Sequence, residues 1–201
     1  MMESLETHAD IFGKEASKAI ADAAQRFSLS YYEEALRLLS DAEAGGGRLH
    51  ITGIGKPHHV ANYMASLFSS TGTPCYFLDG TEATHGSAGQ VKKGDVVLAI
   101  SYFGNVAELV ATVKTLKRNG TRIISVTGFP ESEIARMGDV HLDVHVEREG
   151  DYLNKPPRIS MLVSLFMLMN LSVILQARKG IDQEEYLKWH PSGQLGKREK
   201  P

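Results

Sequence analysis

Apolar residues along this chain switch repeatedly between helical and strand spacing, and the switches set an order of elements. Residues 4–42 keep a helical period with a break around 27–30. The first segment sets Ile11, Ala16, Ile20 and Ala23-Ala24 among charged neighbours, and the second puts Ala35, Leu36, Leu38 and Leu39 on one side. Gly45-Gly46-Gly47 ends that region and releases the chain into Leu49-His50-Ile51-Thr52, a short run that predicts a buried strand. Gly53-Ile54-Gly55-Lys56-Pro57 breaks the run, and a helical pattern resumes through Val60, Met64, Leu67 and Phe68. Residues 75–78 read as a second strand, and 79–89 carry no period of either kind. The continuous apolar run VVLAIS at 96–101 predicts a strand buried on both faces. A helix follows with Val106, Leu109, Val110, Val113 and Leu116 inward, then RIISVT at 122–127 as another buried strand. A short helix over 132–137 and an alternating strand over 140–146 close the series.

Strands alternating with helices imply right-handed crossovers, hence a three-layer α/β domain with a parallel sheet between helices. In such sheets ligands lie outside the carboxyl ends of the strands. Here those ends are 53–56, 79–86, 101–104, 127–128 and 147–150, where glycines and polar residues gather. At the first of them, two glycines permit a sharp turn and Pro57 suits the opening turn of a helix. Free N–H groups there, beside Lys56, form a natural place for an anion. One later segment, ISMLVSLFMLMNLSVILQA at 159–177, approaches the length of a membrane span and has basic flanks. Ser160, Ser164, Asn170, Ser172 and Gln176 interrupt it, and the expectation is a helix buried in a core or interface.

Composition narrows the function classes. At 201 residues and 42% hydrophobic the chain suffices for one globular domain, with helices of 1–47 packing on a domain of 48–201. A net charge of −2 leaves no basic footprint for nucleic acid or acidic membrane. A single cysteine, Cys75, excludes an intramolecular disulfide framework. The acidic, mixed first residues are no signal peptide, so the expected address is cytoplasmic. There is no closely spaced metal-ligand motif and no Gly-x-Ser-x-Gly, and the side chains of His58 and His59 would diverge on a helix. What remains near the strand ends is Lys56, Glu82, His85, Glu108, Glu147 and Glu149, with His190 in a late turn. Carboxylates, a lysine and histidines around an anion pocket suit proton transfer on an anionic metabolite.

These residues resemble a known family. Gly53-Ile54-Gly55-Lys56, Ser70-Thr71-Gly72-Thr73-Pro74, Glu82-Ala83-Thr84-His85-Gly86, Ser101-x-x-Gly104-x-x-x-Glu108, Thr127-Gly128 with Pro130-Glu131-Ser132, and His190-Pro191-Ser192-Gly193-Gln194-Leu195-Gly196 stand in the order and spacing of the sugar isomerase (SIS) domain. The closest branch is arabinose 5-phosphate isomerase, whose enzymes usually continue into two CBS modules; this chain resembles the isomerase domain alone. The resemblance implies a flavodoxin-like sheet of five parallel strands in order 2-1-3-4-5. It implies Lys56, His85, Glu108, Glu149 and His190 as the catalytic set; the expected substrate and phosphate contacts are Gly53, Gly55, Lys56, Ser101, Gly104 and Asn105, with Arg158 added from a position where the chain departs from the family. It further implies interconversion of aldose and ketose phosphates through an enediol, no metal or organic cofactor, and a homodimer or homotetramer whose sites are shared through His85 or His190.

The chain also departs from the family pattern. The phosphate loop, normally Ser-x-Ser-Gly-x-Ser/Thr, is Ser101-Tyr102-Phe103-Gly104-Asn105-Val106, without two of three hydroxyls. Gly-Lys-Ser-Gly becomes Gly55-Lys56-Pro57-His58, and Pro-Thr-Ser-Ser-Thr becomes Pro157-Arg158-Ile159-Ser160-Met161. Two missing donors cost about 1–3 kcal/mol of phosphate binding unless others, such as His58 or Arg158, replace them. The catalytic residues favour an isomerase, and the altered loop favours the other reading, a non-catalytic domain that senses a sugar phosphate. Neither requires nucleic acid or membrane as a partner.

Overall fold

The computed structural model describes residues 4–192, so the last part of the His190–Gly196 motif lies outside the described residues. Two helices, α1 (Leu5–Arg26) and α2 (Leu29–Ala44), precede β1 (Leu49–Gly53), α3 (Lys56–Ser70) and β2 (Cys75–Phe77). Two short 3-10 turns, Glu82–His85 and Ser87–Gln90, lead to β3 (Val96–Ile100), α4 (Ala107–Arg118) and β4 (Arg122–Thr127). Next come α5 (Glu133–Met137), β5 (Val140–Asp143), α6 (Ile159–Lys179) and α7 (Gln183–Trp189). The five strands run in order β2-β1-β3-β4-β5 and every pairing is parallel. The chain steps outward from β1 to β2 and returns on the other side as β3. The carboxyl ends of β1 and β3 therefore flank a topological switch point, where a crevice forms.

β3 shows why its run is apolar throughout. Val96, Leu98 and Ile100 join one core with Ile51, Ile124 and Val126 from the sheet and Tyr32, Phe68, Met167 and Leu171 from the helices. Val97 and Ala99 face the other core, with Ile123, Leu109, Val113, Leu116 and Ile134. Each fully buried side chain of this size stabilises the fold by about 1.5–3 kcal/mol. α6 is long and apolar enough to cross a membrane by length and composition, and half of its most apolar window is buried in the protein. Within it Ser164 donates to Ser160 O at 2.8 Å, and Met167 O accepts from the Tyr32 hydroxyl at 3.0 Å, while the buried Ser160 hydroxyl has no partner among the described residues.

Two elements differ from the sequence expectation. β5 ends at Asp143 instead of running to 146. Asp143 Oδ1 accepts the N–H of His145 at 2.8 Å, a local turn that takes the chain off the sheet, while Val144 and Val146 stay buried. The apolar alternation therefore outlasts the ladder. α7 has no counterpart in the sequence expectation and buries no residue fully. Its local signal is Asp182, whose carboxylate accepts the N–H of Glu185 at 2.8 Å as a helix cap.

Candidate active site

The switch point is built from two helix starts. β1 stops at Gly53 because α3 begins against it: a Cβ there would lie 2.8 Å from the Pro57 backbone. Gly55 and Val106, the caps of α3 and α4, provide no side-chain hydrogen bond to the first N–H groups. α1, α5 and α7, by contrast, are capped by Ser4, Ser132 and Asp182. Lys56 and Glu108 occupy the first turns of α3 and α4 and are exposed. Since β1 and β3 are paired through Gly53 and Ile100, these turns belong to adjacent strand ends.

His85 closes the 3-10 turn on the crossover after β2, and it too is exposed. Asp79 shapes that loop, its Oδ1 accepting the N–H groups of Thr81 at 2.8 Å and Glu82 at 2.9 Å. The Glu82 N–H, against the opposing effect of burial and helped by Thr81 N–H and His58, holds the Asp79 carboxyl below its usual range. Sequence reasoning missed Asp79, although an Asp two residues before Thr81 is an Asx-turn signal. His58 lies 3.6 Å from Asp79 Oδ2 and edge-on to Phe77, bridging α3 to the β2 exit.

The loop after β3 is tied down from within. Ser101 is buried and its Oγ accepts the Gly104 N–H at 3.2 Å. The Tyr102 hydroxyl donates to Val146 O at 2.9 Å and so reaches across β4 to the β5 exit. Phe103 stays 62% exposed, its ring stacked on Phe129 at 5.7 Å. Asn105 Oδ1 accepts the N–H of Glu133 at 2.9 Å, which commits its carbonyl to the start of α5. The positions lacking hydroxyls thus present Phe103 and Val106 to the surface.

Glu149 is the buried acid of the edge. Its Oε2 accepts the N–H groups of Arg158 at 2.7 Å and Ser160 at 3.1 Å, capping α6. The Glu149 N–H donates to Asn154 Oδ1 at 2.7 Å. A cavity of about 200 Å³ opens beside it, lined among others by Tyr102, Phe103, Phe129 and Lys155. The Arg158 guanidinium is paired with Asp151. α3 and α6 descend together: the Thr71 hydroxyl, just beyond α3, meets the Ser172 hydroxyl at 3.1 Å. Followed upward from that contact, the two helices lead to Lys56 and Ile159, so Glu149 belongs to the edge of Lys56.

His190 does not. Its ring stacks on Tyr186 at 4.0 Å and its Nδ1–H donates to Tyr186 O at 2.9 Å. The helix carrying it lies under the far end of α3, where a Cβ on Gly72 would be 2.9 Å from Ile181 and 3.0 Å from Trp189. α3 ends at the amino edge of the sheet, so His190 stands at the edge opposite Lys56 within one chain. Among the described residues, no cluster of three His, Cys, Asp or Glu side chains could hold a metal ion.

Comparison with known proteins gives this geometry its relatives. The SIS domain family matches residues 44–174. The arabinose 5-phosphate isomerase KdsD of Pseudomonas aeruginosa is 41% identical over 155 residues, 77% of this chain and 48% of that protein. An uncharacterized protein of Helicobacter pylori is 36% identical over 184 residues, 92% of this chain and 56% of its own length. The chain thus spans about half the length of these curated relatives. Among solved structures, E. coli CFT073 c3406 in complex with arabinose 5-phosphate superposes with a TM-score of 0.86 at 32% identity, covering 94% of this chain and all of that one. The Vibrio vulnificus NanR protein complexed with ManNAc-6P shares the fold, with a TM-score of 0.70 at 17% identity over 90% of this chain and 65% of its own. With the family matched from the end of α2 into α6, over the sheet and the loops that carry Lys56, His85, Glu108 and Glu149, this chain belongs to the SIS domain family.

Proposed function

We propose that this chain is an aldose–ketose isomerase acting on a sugar phosphate of the arabinose 5-phosphate/ribulose 5-phosphate kind, through an enediol and in the cytoplasm. The similarity to a protein named arabinose 5-phosphate isomerase, and to a structure solved with that sugar phosphate, supports the substrate class. The observation that carries the reading is local. Lys56, His85 and Glu108 lie on the three crossovers that leave β1, β2 and β3, and their side chains make no hydrogen bond or ion pair among the described residues. Charges left unengaged beside two uncapped helix starts suit an anionic substrate.

The roles follow from charge and position. The phosphate lies against the N–H groups opening α3 and α4, with Lys56 as the fixed cation, which compensates for the hydroxyls absent at Phe103 and Val106. Glu149 or Glu108 removes the proton beside the carbonyl and returns it one carbon over, and Lys56 stabilises the enediolate between those steps. A histidine opens the sugar ring, since imidazole titrates near working pH. His190 serves a neighbouring chain's site, because its own edge is the wrong one. The exposed Leu162 and Val173 of α6 offer apolar surface for that homodimer or homotetramer.

The second reading, a sugar-phosphate sensor, is favoured by Phe103 and Val106 standing where the family has hydroxyls. Solvent deuterium separates the two. The isomerase incorporates deuterium at the carbon beside the carbonyl of arabinose 5-phosphate, and Glu149→Gln, Glu108→Gln and His190→Ala each lose most of that exchange while staying folded. Tight binding of a pentose phosphate with neither exchange nor isomerisation makes this a sensor.

A further inference from the structure

The segment joining β5 to α6 carries Glu149, and contacts from the N-terminal helices recur along it. The Tyr31 hydroxyl of α2 donates to Asp143 O at 2.8 Å, and Arg26 Nη2 donates to His145 O at 3.0 Å. Lys18 lies 4.0 Å from Glu147, and Glu15 Oε1 lies 3.3 Å from Arg148 Nη1. The closest approach adjoins the buried acid. A Cβ on Gly150 would stand 2.7 Å from the Phe12 ring and 2.9 Å from Ile159, so only glycine fits, and its φ of 83° is also one glycine favours. The neighbouring residue on one side of Glu149 is thus ion-paired to α1, and the one on the other is wedged under an α1 aromatic ring.

The geometry points to α1 as a latch that sets where the Glu149 carboxylate sits, with Phe12 and Arg148 as positioning residues for the isomerisation. This rests on the reading of Glu149 as an acid–base group. The energetics favour placement over stability as the purpose. Arg148 is 54% exposed and the Glu15 carboxylate keeps Oε2 buried with no partner among the described residues, so the pair adds little net to folding. Proton transfer from carbon, however, depends steeply on position, and a misplacement of about 1 Å can cost on the order of 100-fold in rate. α1 lies outside the part of the chain matched to the SIS domain family, which begins at residue 44. The sheet and the crossover loops that carry Lys56, His85, Glu108 and Glu149 lie inside that matched part.

Two readouts on the full chain test it: amide hydrogen exchange, and turnover of arabinose 5-phosphate. The amides of Arg158 and Ser160 report on the latch, because both donate to Glu149. In Phe12→Ala and Arg148→Ala those two amides exchange at least about 10-fold faster while the β3 amides keep wild-type protection. kcat falls about 10-fold with KM within about 2-fold. The charge swap Glu15→Arg with Arg148→Glu recovers both readouts, which general loosening of the fold would not allow. Unchanged protection and unchanged kcat in both single variants overturn the latch. Faster exchange at unchanged kcat shows that Glu149 is held by α1 but not used as an acid–base group, which overturns the positioning role and the assignment of Glu149 together. Should the wild type isomerise no pentose phosphate, exchange alone decides whether the latch exists.

Discussion

The two edges of the sheet treat charge in opposite ways. At the amino edge Asp95, with a side chain 3% exposed, accepts the N–H groups of Arg48 and Lys92 at 2.9 Å each. It also accepts from the Arg48 guanidinium at 3.1 Å and from His50 Nε2 at 3.0 Å. Burial alone would raise its pKa, but these donors together hold it below the usual carboxylate range. Asp139 is likewise hydrogen-bonded at this edge, accepting from Ile123 N–H at 2.8 Å and Arg122 Nε at 2.9 Å. At the carboxyl edge Lys56, His85 and Glu108 have no such partners among the described residues. An edge whose buried carboxylates are saturated with donors holds strands together, and an edge that leaves Lys56 and Glu108 unengaged at two helix starts is poised for a ligand. Local inconsistency of that second kind is what functional sites show.

The largest expected effect breaks or confirms this contrast directly. Lys56→Ala and Glu108→Gln should lower kcat/KM for arabinose 5-phosphate by about 100-fold or more. The same changes should leave stability within about 0.5 kcal/mol, as expected for exposed side chains without partners. Glu149→Ala should also lose activity and, because it removes the α6 cap, about 1–2 kcal/mol of stability besides. A clear loss of thermal stability in Lys56→Ala with activity retained would show that the carboxyl edge is structural after all.

The contrast was only half legible in the sequence. β4 spans the six residues its apolar run marks, and the order β2-β1-β3-β4-β5 is the one the family motifs imply. Lys56, His85 and Glu108 could be placed because each lies on the crossover that follows a strand and within a motif of the family pattern. Glu149 could be placed at the edge but not buried there. Its partners, the amides of Arg158 and Ser160, arrive only after the chain has looped to start α6. Tyr102 has the same character, its hydroxyl meeting Val146, a contact that no local period encodes. His190 depended on α7, a helix with no buried face to give it a period. The amino-edge network escaped notice for a related reason: Arg48, His50 and Asp95 become neighbours only once β1 pairs with β3.

A second test acts on the engaged edge. Asp95→Ala strips four donors of their common acceptor and leaves buried His50 and the Arg48 guanidinium without it. Breaking a buried charged network in this way costs about 3–5 kcal/mol. For a domain of this size that lowers the unfolding midpoint by about 10 °C. Activity per folded molecule should be unchanged at temperatures where the variant is folded, since Asp95 precedes β3 and the site lies beyond its other end. A variant with wild-type stability, or one folded but inactive, would erase the division of labour between the edges.

The smallest effect is a pH dependence confined to His50. Burial lowers its pKa below the usual 6.5, against the hydrogen bond and charge of Asp95, which raise it, and with Arg48, whose charge lowers it further. The unfolded chain takes up this proton near pH 6.5, whereas the folded chain does so only at a lower pH. Between those values the unfolded state holds more protons, so stability falls as pH drops below about 6.5 and is flat in this respect above it. One proton limits the slope to about 1.4 kcal/mol per pH unit. The contribution of Asp95 is lost only below its unfolded value of 3.8, outside a measurement run from about pH 7.5 to 5. Thermal midpoints across that range should decline more steeply in the wild type than in His50→Gln, where an amide can still donate to Asp95 but cannot take the proton. The two proteins differ only at this side chain, so the difference between the two slopes isolates His50. Equal slopes would mean that His50 gains its proton as readily folded as unfolded, and that the amino edge is open to solvent in a way its 1% side-chain exposure does not suggest.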